Sequence, residues 1–422
     1  MSKYDKASLV HIPSGYKSGT LYNVLPNDAD GDFDFFRGST ATRVNKDGLI
    51  ETIATGTPRL DYPLLDGVVQ DNPTLLLEPQ RTNLVTYSED ATQWLLINST
   101  ITSNNIISPD GSQNADKFEF TGDGSIRPNV SQLAFTNNYN YSVFIKKGNS
   151  SYVTLAASFF TTSTTVGFDL DNEISETGGI IEKYPNEWYR LSLTNNVTGD
   201  ADRQGAFYIY LPNALGELSS VAGNYAYVWG ADIQEASYNT SYIPTSGATV
   251  TRSADVCNGA GTAADFNDSE GVLYANIAAL ANDLTYRELG ISNGTTDNRV
   301  LISYTNVSNQ ISGTLRVGAV SQGIMNYTAQ SISYYNKVAL LYKLNDCSLW
   351  VNGFKVAVDT SVNMPSGLSE LAFDSGAGSD DFYGKTKEVI TFNEALSDTE
   401  LEALTSYDSF NEMANELLFT IE

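Results

Sequence analysis

Three groups of residues in this sequence have types and spacings that could do chemistry. The first is the carboxylate run Asp171, Glu173 and Glu176 in FDLDNEISETGG. Carboxylates at alternate strand positions point to one face, and a retaining glycosidase needs two carboxyl groups about 5 Å apart, one kept protonated. This run is rich in Asn, Gly and Ser, and nothing local suggests the burial that would raise a carboxyl pKa. It reads as the turn between two strands. The second group is Asp28, Asp30 and Asp32 in NDADGD, which looks like the opening of a calcium loop. Its glycine comes too early and no Glu stands at the twelfth position, so the EF-hand pattern fails. A turn is expected here, with calcium as the only metal reading. The third group is aromatic: Tyr184, Trp188, Tyr225, Tyr227 and Trp229. Flat rings can stack on the apolar face of a sugar, so Tyr184, Trp188, Tyr225 and Tyr227 are the candidate glycan contacts. Large aromatics also dominate cores, and core packing is the expected role of Trp188, Trp229 and Trp350.

Other chemistries are excluded by what is scarce. The chain holds a single histidine, His11, and two cysteines, Cys257 and Cys347, far apart and outside any Cys-x-x-Cys pair. Zinc sites built from Cys and His are therefore ruled out, and a Ser–His or Cys–His catalytic pair would have to use His11. The thiols are expected to stay reduced. No organic cofactor is implied. With 24 basic against 50 acidic residues the net charge is −26, which opposes binding to nucleic acid and to anionic membranes. No apolar run reaches the ~20 residues of a membrane helix. The opening MSKYDKASLVHIPSGYKSG lacks the apolar stretch and cleavage site of a signal peptide, so synthesis in the cytoplasm without classical export is expected.

The elements that must position these groups are strands. Runs such as KFEFT, YSVFIKKG, EWYRLSLTNN and AYVWGADIQE alternate apolar and polar residues across 76–256, separated by turns of Asn, Gly, Ser and Asp. Such spacing without helical periodicity predicts an antiparallel sandwich. Residues 257–408 repeat the theme, and Asn352-Gly353 in SLWVNGFKVAVD supplies the positive φ angles of a two-residue hairpin. Residues 1–75 carry turn signals throughout and read as an extended arm with short strands, packed on a partner or on the following domain. Its Leu9, Ile12, Tyr16, Leu21, Tyr22, Phe33, Phe35 and Phe36 are too apolar for a solvated tail. Near the end, Ser397 with Glu400 forms a capping box, and Phe410, Met413 and Leu417 fall on one stripe of a short helix over 409–422. The fold class is thus all-β: two tandem antiparallel β-sandwiches, an N-terminal arm and a short C-terminal helix.

Three longer motifs occur in order: FFRGSTATRVNKDGLIE at 35–51, LLLEPQRTNLVTYSEDATQW at 75–94 and YVWGADIQEASYNTSYIPTSGATVTRSADV at 227–256. Together they resemble structural proteins of tailed-bacteriophage virions, such as tail or head fibres. The second half, through LWVNGFKVA and FYGKTKEVITFNEALSDTELEALTSY, is similar to the concanavalin A-like, laminin G-like jelly roll. The resemblance implies a virion fibre or spike subunit that contributes to binding host surface glycans. It also implies a homo-oligomer, with a trimer favoured, held by the arm to other virion proteins. Arg43, Arg252, Phe410, Met413 and Leu417 are then the expected inter-strand or inter-subunit anchors, and the acidic rim around Asp374 and Asp380-Asp381 becomes a second place for calcium. The competing reading is a glycan-degrading tailspike, a lyase or hydrolase. Hydrolases of this fold carry Glu-x-Asp-x-x-Glu on one strand, and the run at Asp171 departs from it. A non-enzyme is expected.

Overall fold

The computed structural model describes residues 4–13, 15–17, 20–130, 137–158, 164–196 and 206–416. Among these, the ladders between named strands are antiparallel, and the α-helices are two short ones, Asp398–Thr405 and Phe410–Glu416. The strands build two sandwiches, as the alternation predicts.

The first sandwich is a ten-stranded sheet that doubles back on itself. The strand Ala115–Arg127 makes the turn-over possible. Its first half lies beside Tyr225–Glu235, with Asp116 opposite Val228, whereas Ile126 near its end pairs with Ile209 of Ala206–Tyr210. Gly124 sits at the change of partner, where a Cβ would fall 2.0 Å from the Ile97 carbonyl oxygen. The two halves enclose Phe118, Phe120, Tyr141, Leu155, Phe207 and Ile233, all essentially dry. Burial of each such side chain stabilises the fold by roughly 1.5–3 kcal/mol.

The second sandwich packs an eight-stranded sheet against a five-stranded one, with Leu273, Leu289, Val300 and Leu340 between them. At its hairpin Asn352 and Gly353 have φ of 51° and 89°, and Val351 faces Phe354 across the turn. The outer face of the larger sheet is covered in turn. Val272 and Tyr274 meet Leu401 and Leu404 of the capped helix, in which the Ser397 hydroxyl and Glu400 carboxylate satisfy each other's backbone N–H groups. The following helix lies on the same chain: Glu412 pairs with Lys337 at 2.8 Å, Ala414 is buried and Met413 half-buried. The side chain of Phe410, and Leu417 altogether, lie outside the described residues, as does the side chain of Tyr16.

The N-terminal stretch departs from the expected arm. Leu9–His11 and Thr74–Leu77 line up end to end along one edge of Gly384–Phe392, and Arg59–Asp61 adds outside the latter. Leu9, Leu21, Phe33 and Phe35 fall inside the second sandwich's core. Ile12 packs at its outer face, while Tyr22 and Phe36 stay exposed. The physical reason is the unpaired edge of Gly384–Phe392, which offers backbone partners and an apolar surface within the chain. The cover for these side chains is this molecule's own second sandwich, rather than a neighbouring subunit.

The two sandwiches meet at a knot of buried charge. Asp255 accepts hydrogen bonds from Arg37 at 3.1 Å, from Arg59, and from the Glu78 backbone N–H at 2.8 Å. Glu78 accepts from Arg59, from Arg252 at 2.8 Å and from the Ser241 hydroxyl at 2.6 Å. All five charged side chains are at most 2% exposed. Burial alone would raise the Glu78 carboxyl, yet Arg252 and Arg59 hold it well below the usual range. The polar stretch SYIPTSGATVTRSAD at 241–255 runs into this knot: Val250–Arg252 pairs with Arg81–Asn83, and the following Val256–Asn258 with Phe33–Phe36. Arg252 also donates to the Pro79 carbonyl at 2.7 Å. Arg43 forks onto Glu51 at 3.0–3.1 Å and donates to the Leu60 carbonyl. Both arginines thus work between strands of one chain; Arg252, fully buried, has no surface to offer a neighbour.

Candidate functional site

Between the sandwiches, and beside the knot, runs a groove of about 1360 Å³. Ligand pockets for small molecules span about 300–1,000 Å³, so this space suits an extended chain. One wall comes from the first sandwich, where Gly179–Tyr184 and Trp188–Asn196 form a hairpin closed at Pro185–Glu187. The opposite wall comes from the 334–335 turn and the Gly384–Phe392 strand of the second sandwich, and the N-terminal segment contributes Asp61 and Tyr62.

Tyrosines dominate the lining. Tyr62, Tyr184, Tyr334 and Tyr335 are half-buried and contribute to it. The Tyr184 ring stands edge-on to Phe144 at 5.0 Å, which fixes its plane. Asn239 supplies an amide on the same wall, donating to Glu182 at 3.3 Å and to the Ser192 hydroxyl at 2.8 Å. Charged groups in the groove come in pairs. Lys183 contacts Glu173 at 2.5 Å and Asp66 at 3.3 Å; Lys385 lies 3.8 Å from Asp61. Burial raises the Asp61 carboxyl above its ordinary range, against the pull of Lys385 and the Val44 N–H. Lys387 sits 4.1 Å above the Tyr335 ring.

Of the four aromatics singled out from sequence, only Tyr184 lines this groove. Trp188 is opposite it in the hairpin register but is 1% exposed, its indole N–H donating to the Ile107 carbonyl at 3.2 Å. It supports the wall from behind in one cluster with Trp229 and Phe144, and at 1% exposure it offers no face on which a ligand could stack. Trp350 is likewise buried. Tyr225 and Tyr227 lie elsewhere on the first sandwich, their rings edge-to-face at 6.0 Å with Lys117 over Tyr225 at 4.2 Å.

The acidic runs do not converge. Asp171 pairs with Lys147, Glu173 with Lys183, and Glu176 accepts the Gly167 N–H at 2.7 Å. They flank the tight turn between Thr164–Asp169 and Ile174–Ser175. Asp28 accepts from the Asp30 N–H and Asp32 from the Asn23 N–H. Asp374 accepts the Gly376 N–H and Asp381 the Tyr383 hydroxyl. Among the described residues no three His, Cys, Asp or Glu side chains are grouped to hold a metal, and no helix is long and apolar enough to cross a membrane.

Tyr334, Tyr335, Lys385 and Lys387 were not singled out from sequence. Two signals pointed to them: the adjacent tyrosines in SISYYNK, and lysines two apart in YGKTKE, a spacing that sets both on one face of a strand. Neither signal says which face meets the other sandwich.

No protein-family model matches the sequence, and no curated protein does. Among solved structures, the chain is similar to the CBM40 of a Ruminococcus gnavus IT-sialidase bound to α2,3-sialyllactose, at 20% identity over 33% of this chain and 84% of that one, with a TM-score of 0.29. It is similar to a heptameric SAP-like pentraxin from Limulus polyphemus at 14% identity, over 33% and 71%, with a TM-score of 0.27. Mouse laminin α1 domains LG4–5 align over 74% of this chain and 95% of theirs, at 10% identity and a TM-score of 0.22. The fold is a pair of antiparallel β-sandwiches. Nothing about a ligand follows from likenesses this distant.

Proposed function

We propose that this protein is a non-catalytic, glycan-binding subunit of a bacteriophage virion appendage, a fibre or spike. The observation that carries the glycan half of this reading is the groove between the sandwiches, where half-buried tyrosines and amides face one another across a space suited to a chain. Aromatic faces with a few fixed polar groups suit a pyranose. The virion half rests on the ordered motifs at 35–51, 75–94 and 227–256, which resemble phage structural proteins. A homo-oligomer and contacts with other virion proteins go with that role; the buried N-terminal strands leave exposed Phe36 and Tyr22 as apolar surface for such contacts.

The test has two arms. Full-length protein on an array of bacterial surface polysaccharides should retain at least one, and Tyr334→Ala should abolish retention without altering the far-ultraviolet dichroism. Mass spectrometry of purified particles of the producing phage should find the chain in stoichiometric copies. Release of new reducing or unsaturated ends from the retained polysaccharide would instead favour the tailspike enzyme. Absence from particles would remove the virion role while leaving the binding arm intact.

A further inference from the structure

We infer that the groove selects neutral polysaccharide and rejects acidic chains; this rests on the glycan-binding reading above. The argument starts from the cations, because an acidic sugar is held by charge-assisted hydrogen bonds from Lys or Arg. Five cationic side chains line the groove, and each already has a partner in the chain. Arg43 is forked onto Glu51. Arg190, 4% exposed, donates to the Ser142 hydroxyl at 3.0–3.2 Å and to the Thr240 carbonyl at 2.8 Å. Lys183 is held by Glu173 and Asp66, Lys385 faces Asp61, and Lys387 caps the Tyr335 ring. A sugar carboxylate would therefore have to share a cation that already serves a partner in the chain, and finds no guanidinium or ammonium set aside for it.

The background field points the same way. Besides Glu78, which is held in the knot by Arg59 and Arg252, seven carboxylates line the groove against those five cations, in a chain whose net charge is −26. A cleft with low-dielectric walls concentrates such a field and lowers the local concentration of anions. Carboxylates and amide oxygens accept hydrogen bonds, and the hydroxyls of a neutral hexose chain donate them. The tyrosine rings supply stacking that is indifferent to charge. Hydroxyl donors and ring faces are thus the complement of this lining, whereas uronic, sialic, sulfated or phosphate-bearing chains are not.

The experiment is affinity electrophoresis or calorimetry of the full chain with two polymer sets of matched length. One set is neutral hexose polymers, and the other carries uronic or sialic acid. Expected results are binding confined to the neutral set, less than a twofold change in affinity between 50 and 500 mM NaCl, and loss of at least tenfold with Tyr334→Ala or Tyr184→Ala. Tighter binding of an acidic polymer, weakening steeply with salt, would overturn the selectivity while leaving glycan binding in place. Binding that survives both tyrosine changes would place the ligand outside the groove and overturn both readings. A variant that unfolds is identified by its dichroism, and Tyr334→Phe, which keeps the ring, then decides: it should bind neutral polymer within threefold of wild type.

Discussion

His11 makes a sharp test of the packing, because it is the chain's only histidine and it is fully buried. Its Nδ1 lies 2.7 Å from the Asn23 side-chain oxygen, which requires the N–H on that nitrogen, and Nε2 has no partner. The ring stands edge-on to Phe33 at 5.1 Å. Burial among these groups pushes the imidazole pKa down from 6.5 to about 4. The unfolded chain therefore binds a proton between those two values and the folded chain does not. Stability from this residue is fully present above pH 6.5 and is lost as the pH falls towards 4. The gap is worth about 3 kcal/mol, at about 1.4 kcal/mol per pH unit. Other groups titrate in the same window, so the comparison must be with His11→Gln, which keeps an N–H donor for Asn23 and carries no titrating group. Urea unfolding of both proteins from pH 7 to pH 4 should show wild type losing about 3 kcal/mol relative to the variant. The lone imidazole resonance followed by NMR should titrate near pH 4. A titration near 6.5, or parallel stability curves, would mean that the N-terminal strand is not seated in the second sandwich's core.

Asp232 offers the opposite sign. It is buried in the first sandwich with one carboxylate oxygen unpartnered, and burial raises its pKa from 3.8 to about 6. Asp232→Asn should therefore stabilise the protein by up to ~3 kcal/mol at pH 7, with the gain vanishing as the pH falls to 4. Trp188→Ala should cost about 3–5 kcal/mol, as core Trp truncations do, and should weaken glycan binding only in proportion to the unfolded fraction. Cys257 and Cys347, both buried free thiols, should resist alkylation in native buffer and react together on unfolding.

The sheets were legible because alternation survives in nearly every strand that buries one face, from KFEFT to the Asn352-Gly353 hairpin. The capping box at Ser397 was legible for the same local reason. The N-terminal strands were not. Leu9–His11 and Arg59–Asp61 are three residues each, too short to show a period, and the strand that Leu9–His11 joins lies more than 300 residues away along the chain. The aromatic stripe misled because a hairpin register sets Tyr184 and Trp188 on one face while saying nothing about what covers them. Phe144 and Trp229 cover the indole, and Tyr184 lines the groove. Tyr334 and Tyr335 face it only because the two sandwiches are set against each other, which no local pattern encodes.

That setting is the work of the buried charges, and a last prediction separates it from ligand binding. Arg37 belongs to the first of the three ordered motifs, Glu78 to the second, and Arg252 and Asp255 to the third. The motifs thus meet in the knot, while Tyr62, Tyr334 and Tyr335 of the groove lie outside all three. What those motifs specify is chiefly this joint; they also supply Arg43 and Asn239 to the groove, while its half-buried tyrosines come from outside them. In Glu78→Gln three guanidinium groups would face the single carboxylate of Asp255, and removing one partner of a buried ion pair costs about 3–5 kcal/mol. Tyr334→Ala, on a half-buried ring at the groove's edge, should cost far less and abolish binding. Glu78→Gln should then unfold at markedly lower urea concentration yet bind normally per folded molecule, while Tyr334→Ala does the reverse. If instead Glu78→Gln abolished binding while unfolding as wild type does, the carboxylate would be a ligand contact, and the knot would be part of the binding site.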